Sequence, residues 1–135
     1  MNAPRSEHIV VVGLGYVGLP LAVALARSFS VIGLDIDERR VEELRLGVDR
    51  THEVEPAALA ASPLRLTSSA ADAAGADIYI VTVPTPVDGD NSPDLGPVIS
   101  ATRSLATLLD PARKPIIVYE STVYPGVTED ICGPL

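Results

Sequence analysis

The chain has 135 residues, 47% hydrophobic and 21% charged, with 18 acidic against 10 basic side chains and a net charge of −8. That length suits one domain, the hydrophobic share excludes an intrinsically disordered chain, and no apolar run approaches the roughly 18 residues of a membrane span. The acidic balance disfavours nucleic acid and anionic membranes as partners, so an anionic ligand has to be held by a local device.

Ile9 to Val12 is a short β-branched run ending at Gly13, which predicts a buried strand. From Tyr16 to Arg27 the pattern is Ala/Leu-rich and helical, with Pro20 early enough to be tolerated. Ser30 to Leu34 predicts a second strand, closed by Asp35. Asp37 then reads as the N-cap of a helix running to Leu46, with Gly47 as its C-cap. Val41 and Leu44 face inward in that helix, and Leu46 is a third candidate for the same face. Residues 48–63 read as irregular apart from a helical piece over Pro56 to Ala61. Leu64 to Thr67 predicts a short third strand, followed by an Ala-rich helix to about Ala74. Asp77 to Val83 predicts the fourth strand and Pro84 to Pro97 a loop. Val98 to Leu109 follows as a helix, Pro115 to Glu120 as the fifth strand, and Val123 to Asp130 as a last helical turn.

Strands alternating with helices predict an α/β domain with a doubly wound parallel sheet of the Rossmann type. The full strand order of that arrangement is 3-2-1-4-5-6. Five strands are legible, so the domain, residues 1–135, reads as truncated before the sixth. The bare edge of the fifth strand is then the expected place for any homo-oligomer contact.

The string Gly13-Leu14-Gly15-Tyr16-Val17-Gly18 is a GxGxxG that follows a strand and opens a helix. The first glycine permits the tight turn, the second lets the backbone approach a pyrophosphate, and the third lets helix and strand pack closely. Free N–H groups at the helix start then bind the phosphates. Asp35 ends the second strand about 20 residues on, where an acid accepts hydrogen bonds from the adenosine ribose hydroxyls. The alternative is that these glycines serve only turn and packing. Asp35 and Asp37 together repel a 2′-phosphate, which favours NAD over NADP. Arg40 is a cation of the kind that accepts a 2′-phosphate; its other reading is a solvated helix charge paired with nearby acids.

Ligands of open α/β sheets sit outside the carboxyl ends of the strands. There the fourth strand offers Val83-Pro84-Thr85-Pro86 and the fifth Glu120-Ser121-Thr122. Thr85, Ser121 and Thr122 put hydroxyls where the nicotinamide half of a dinucleotide would lie, and ordinary loop chemistry explains them equally well. Other candidates are weaker. Cys132 has no histidine near it in sequence and reads as a small thiol; a single cysteine also excludes a disulfide framework and leaves the cytoplasm as the expected compartment. The polar start of the chain is no signal peptide. His8 and His52 read as surface residues, and Asp88, Asp90 and Asp94 as solvated turn residues rather than metal ligands.

Four strings, VVGLGYVGLPLAVALA, VIGLDIDERRVEEL, VTVPTPVD and YESTVYPGVTED, occur in this order and together resemble the N-terminal NAD-binding domain of the UDP-glucose/GDP-mannose dehydrogenase family. The resemblance is nearest to the bacterial branch acting on UDP-N-acetylhexosamines or their uronic acids. It implies successive use of two NAD to oxidise the sugar C6 hydroxyl to a carboxylate, through a thiohemiacetal and a thioester on a cysteine of a later domain. It also implies that Gly13, Gly15, Tyr16, Val17, Gly18, Asp35, Arg40, Val83, Thr85 and Thr122 lie at the cofactor. Asp35 and Arg40 would hold the adenosine ribose, and Thr85 would lie near the pyrophosphate and nicotinamide ribose. Thr122 would help to order a water or the C6 oxygen. The family's catalytic cysteine and lysine match neither Cys132 nor Lys114, and Glu120 stands where some relatives carry arginine. These residues alone are therefore expected to bind NAD weakly or not at all and to oxidise no sugar, with the UDP-sugar a ligand of the full-length enzyme only. The rival readings are a stand-alone nucleotide-sensing module and another two-domain NAD(P) dehydrogenase; neither needs the VPTP or STVYPG segments.

Overall fold

The structure, a computed structural model, describes residues 5–84 and 94–120. Thr85, Asp88, Asp90, Ser121, Thr122, Cys132 and the expected helical turn over Val123 to Asp130 lie outside the described residues.

The central strand, β1 (Arg5–Val12), is apolar on both faces: Ile9, Val10, Val11 and Val12 are all buried. It pairs in parallel with β2 (Phe29–Leu34) on one side and β4 (Ile78–Val81) on the other. β3 (Arg65–Thr67) and β5 (Ile116–Tyr119) lie outside them, giving the order β3-β2-β1-β4-β5, parallel throughout. Parallel neighbours require crossovers, and these place helices on both faces. On one face Ile9 and Val11 pack with Leu19, Ala22 and Val23 of α1 (Gly18–Leu25), Leu44 of α2 (Glu38–Arg45) and Leu59 of α3 (Pro56–Ala61). On the other, Val10 and Val12 pack with Leu34, Tyr79, Val81 and Leu105 of α4 (Gly96–Ala106). The doubly wound sheet and its five strands match the sequence reading.

The α2 helix carries its stop and start signals as expected. Asp37 caps it by accepting from the Arg39 and Arg40 amides at 3.0 and 3.2 Å. At the far end Gly47 takes a φ of 82°, and the Val48 and Gly47 amides reach back to the Glu43 and Leu44 carbonyls at 2.9 and 3.0 Å, a Schellman ending. Leu46 departs from expectation: it is 74% exposed. It lies two residues beyond Leu44, about 200° around the helix axis, and so points away from the buried face.

The Ala-rich segment after β3 is a single 3₁₀ turn, Ala70–Ala73, rather than an α-helix. Four residues cannot nucleate a longer helix against the turns that bound them. On one side the Thr67 hydroxyl donates to the Asp72 carboxylate at 2.6 Å; on the other Gly75 turns the chain at a φ of 74°. The fourth strand is also shorter than Asp77 to Val83: the Thr82 amide still donates to the Val12 carbonyl at 2.8 Å, but Pro84 has no amide with which to carry the ladder further.

Tyr79 closes the segment between the 3₁₀ turn and β4. Its side chain is fully buried; the hydroxyl donates to the Ala73 carbonyl at 2.7 Å and accepts from the Ala76 amide at 3.1 Å. Tyr79→Phe orphans both groups and is expected to lower stability by about 1–3 kcal/mol. Urea unfolding checks this, with the midpoint falling and the slope unchanged.

Candidate functional site

Registers of Val12 with Leu34, Val12 with Val81 and Val81 with Tyr119 bring the strand ends level. The residues that follow β1, β2 and β4, namely Gly13, Asp35 and Thr82, therefore emerge side by side on one rim. Gly13 turns at a φ of 97°, and its amide donates to the Leu34 carbonyl at 2.8 Å. A Cβ there would sit 3.0 Å from the Val83 amide nitrogen, so β4 closes over the turn. The Thr82 Oγ1 lies 2.7 Å from the Gly13 carbonyl and 3.0 Å from that of Val12.

The other two glycines of the turn differ in what surrounds them. A Cβ on Gly18 would run into the Gly13 carbonyl and the Thr82 hydroxyl, so this glycine lets α1 sit against the turn. Among the described residues, a Cβ on Gly15 would meet nothing within 4 Å. Gly15 faces open space, flanked by exposed Tyr16 and Val17. Among the described residues, the amides of Gly15, Tyr16 and Val17 make no hydrogen bond, and no side chain caps α1. An uncapped helix start with unpaired amides and the positive end of the helix dipole is a site for an anion.

Beside it, Asp35 is already oriented. Its Oδ2 accepts from the Leu14 amide at 3.0 Å and its Oδ1 from the Asp37 amide at 2.9 Å, while the residue stays partly exposed. The Leu14 carbonyl is held in turn by Arg40, whose Nε and Nη2 donate to it at 2.9 and 2.6 Å. Arg40 is buried and pairs through Nη1 with Asp49 at 2.9 Å, the two side chains being 5% and 2% exposed. The solvated helix charge is thus Arg39, 86% exposed beside Glu43, and not Arg40.

Sequence reading passed over Asp49, in the segment taken as irregular. Its Oδ1 accepts from the Thr51 amide and hydroxyl at 2.9 and 2.6 Å, and its Oδ2 from the Glu53 and Val54 amides at 2.9 and 3.0 Å. His52, at a φ of 55°, turns the backbone so that these amides converge. A signal for the pair did exist: Arg40 precedes Val41 and lies four residues before Leu44, on the buried stripe, where a cation requires an acid. Burial of the Asp49 carboxyl favours its neutral form, but hydrogen bonds from Thr51, Arg40 and Val54 outweigh this and hold it well below the usual carboxylate range.

Val83 stands beside Gly13, whereas Thr85 and Thr122 lie outside the described residues. His8 and His52 are exposed, and Asp94 accepts from the Gly96 amide at 2.8 Å, a local turn role. Among the described residues no His, Cys, Asp and Glu cluster is arranged to hold a metal, and no helix is long and apolar enough to cross a membrane.

Two outcomes are expected. A carboxyl whose folded pKa is depressed stabilises fully above about pH 4, and that stabilisation is lost as pH falls below it. Asp49→Asn should therefore flatten the acid limb of a thermal-stability profile measured against pH. Gly18→Ala is expected to cost about 3 kcal/mol, whereas Gly15→Ala, with open space around it, leaves the unfolding midpoint within about 0.5 kcal/mol of the parent.

Comparison with known proteins agrees with this geometry. Residues 7–135 match the model of the UDP-glucose/GDP-mannose dehydrogenase family, NAD binding domain. The chain is 48% identical over 132 residues to a UDP-N-acetyl-D-glucosamine 6-dehydrogenase of Pseudomonas aeruginosa, covering 97% of this chain and 31% of that protein. It is 47% identical over 130 residues to Protein CapL of Staphylococcus aureus, covering 96% and 30%. The solved structure of a UDP-glucose dehydrogenase from Pyrobaculum islandicum aligns with a TM-score of 0.84 at 33% identity, over 99% of this chain and 33% of that one. The chain thus spans about a third of the length of the curated relatives it matches. An anion-ready helix start beside an oriented carboxylate is what a dinucleotide's pyrophosphate and ribose need, and with the match across nearly every residue it makes this chain a member of the UDP-glucose/GDP-mannose dehydrogenase family, in its NAD binding domain, with NAD as the cofactor.

Proposed function

We propose that the chain is the cofactor-holding part of a nucleotide sugar 6-dehydrogenase, which oxidises the C6 hydroxyl of a UDP-sugar to a carboxylate with two NAD. The sugar is of the UDP-N-acetylhexosamine or UDP-glucose type. Similarity to the Pseudomonas aeruginosa UDP-N-acetyl-D-glucosamine 6-dehydrogenase supports the first class.

The observation that carries the cofactor half is the pairing of an uncapped α1 start with Asp35, whose two oxygens are already aimed by the Leu14 and Asp37 amides. Donors face an anion and an acceptor faces hydroxyls, so the residues fit NAD. Bound there, NAD supplies the hydride acceptor for alcohol oxidation. The Gly15, Tyr16 and Val17 amides hold the pyrophosphate, and the open space at Gly15 lets it approach the backbone. Asp35 accepts from the adenosine ribose hydroxyls and, with Asp37, repels a 2′-phosphate. Arg40, which donates to the Leu14 carbonyl, holds the adenosine ribose together with Asp35. Val83, together with Thr85 and Thr122, which lie outside the described residues, is assigned to the nicotinamide half by the family resemblance, and Thr122 to ordering a water or the C6 oxygen.

Calorimetric titration of NAD into the chain tests the cofactor half. Weak saturable binding is expected, reduced about tenfold or more in Asp35→Ala through loss of charge-assisted hydrogen bonds. Gly15→Ala is expected to lose affinity without losing stability. Binding undiminished in Asp35→Ala overturns this half, whereas a folded chain that binds no NAD shows that the site needs further parts of the enzyme. For the chemistry, a panel of UDP-sugars with NAD should yield no NADH above blank from these 135 residues, and any turnover above blank shows that they need no further catalytic part.

A further inference from the structure

We infer that Thr82 is a positioning residue for the cofactor: its hydroxyl pins the peptide group between Gly13 and Leu14, and through that group it fixes the aim of Asp35. This rests on the NAD reading above and adds to it a side chain outside the glycine-rich turn.

The hydroxyl lies 2.7 Å from the Gly13 carbonyl oxygen and 3.0 Å from that of Val12. A hydroxyl carries one hydrogen, so it donates to one of these acceptors at a time. Val12 has no need of it, because the Thr82 amide already donates to the Val12 carbonyl at 2.8 Å. Gly13 has no other donor among the described residues, and its contact is the shorter. The same peptide group is held at its other end, where the Leu14 amide donates to Asp35 Oδ2 at 3.0 Å. Carbonyl and amide of a trans peptide point in opposite directions, so the two bonds hold one rigid plane from two sides. Thr82 follows β4 and Asp35 follows β2, the strands that flank β1.

This plane needs its pins. Gly13 turns at a φ of 97°, and glycine leaves the adjoining peptide group freer to rotate than a residue with a Cβ would. A rotated plane would bring the Gly13 carbonyl round toward the Asp35 carboxylate. Two acceptors would then oppose each other, and the amide that orients the acid would be withdrawn. The Gly15, Tyr16 and Val17 amides follow directly in the chain, so the anion site moves with the plane. Gly18 leaves the space for the contact, since a Cβ there would run into both the Gly13 carbonyl and the Thr82 hydroxyl. Valine at position 82 keeps the shape of the side chain but offers that carbonyl a methyl group in place of a donor.

The test combines calorimetric titration of NAD with NMR exchange of the Leu14 amide hydrogen, taken as a ratio to exchange at Val10 in the buried centre of β1. The variants are Thr82→Val, Thr82→Ser and Tyr79→Phe. The Tyr79 hydroxyl bonds to Ala73 and Ala76, away from the turn, so its variant controls for lost stability alone. Thr82→Val is expected to weaken NAD binding about fivefold and to raise the exchange ratio about threefold or more. Thr82→Ser, which keeps the hydroxyl, should return both to within about twofold of the parent. Tyr79→Phe should leave both at the parent's values. If Thr82→Val does not fold, Thr82→Ala takes its place. Parent-like affinity or a parent-like exchange ratio in the folded variant overturns the inference, and so does a failure of Thr82→Ser to restore them. If Asp35→Ala binds NAD as the parent does, the cofactor reading fails by itself; if the chain binds no NAD, the site needs further parts of the enzyme. In both cases the exchange ratio decides the pinning: a rise reversed by Thr82→Ser supports it, and any other result overturns it.

Discussion

A single buried charge organises the site. Arg40 sits on the inner face of α2, where water cannot solvate it, so its hydrogen bonds must end on protein acceptors. Those acceptors are the carbonyl of Leu14 and the carboxylate of Asp49. One arginine thus ties the second helix, which carries it, to the loop just after that helix and to the distant glycine-rich turn. The loop's cost of ordering is met by the same bonds, since Asp49 also gathers three backbone amides and a hydroxyl of its own neighbourhood.

The sheet supplies the other half of the arrangement. Parallel pairing in level register delivers the ends of β1, β2 and β4 to one rim, so the anion site, the ribose acid and the Thr82 hydroxyl become neighbours without any loop having to travel. Small contacts then decide the shape of the turn. Thr82 holds the Gly13 carbonyl, and Gly18 leaves room for that contact.

What the sequence made legible follows from range. Gly13, Gly15, Gly18 and Asp35 could be read because their roles depend on a local pattern: a strand end, a turn, a helix start and the next strand end. The N-cap at Asp37 and the glycine ending of α2 were legible for the same reason. Asp49 was not, because its loop has no periodicity and its partner is set by tertiary packing. Leu46 misled through its apolarity, which says nothing about angle around the helix axis. Ala70 to Ala73 misled through propensity, which a short connection between strands overrides, leaving room for one 3₁₀ turn. Thr82 went unremarked because hydroxyls beyond the strand end looked like the chemistry, whereas Thr82 serves the backbone.

The contrast between Gly15 and Gly18 bears on how such domains diverge. One glycine answers to the interior of the protein and the other to the space outside it. A descendant that abandoned its dinucleotide would still have to keep Gly18, or lose the seat of its first helix, while position 15 would drift to any small or polar residue. The pair therefore works as an internal marker of lineage and retained binding: the inner glycine records ancestry, and the outer one records whether the ligand is still in use.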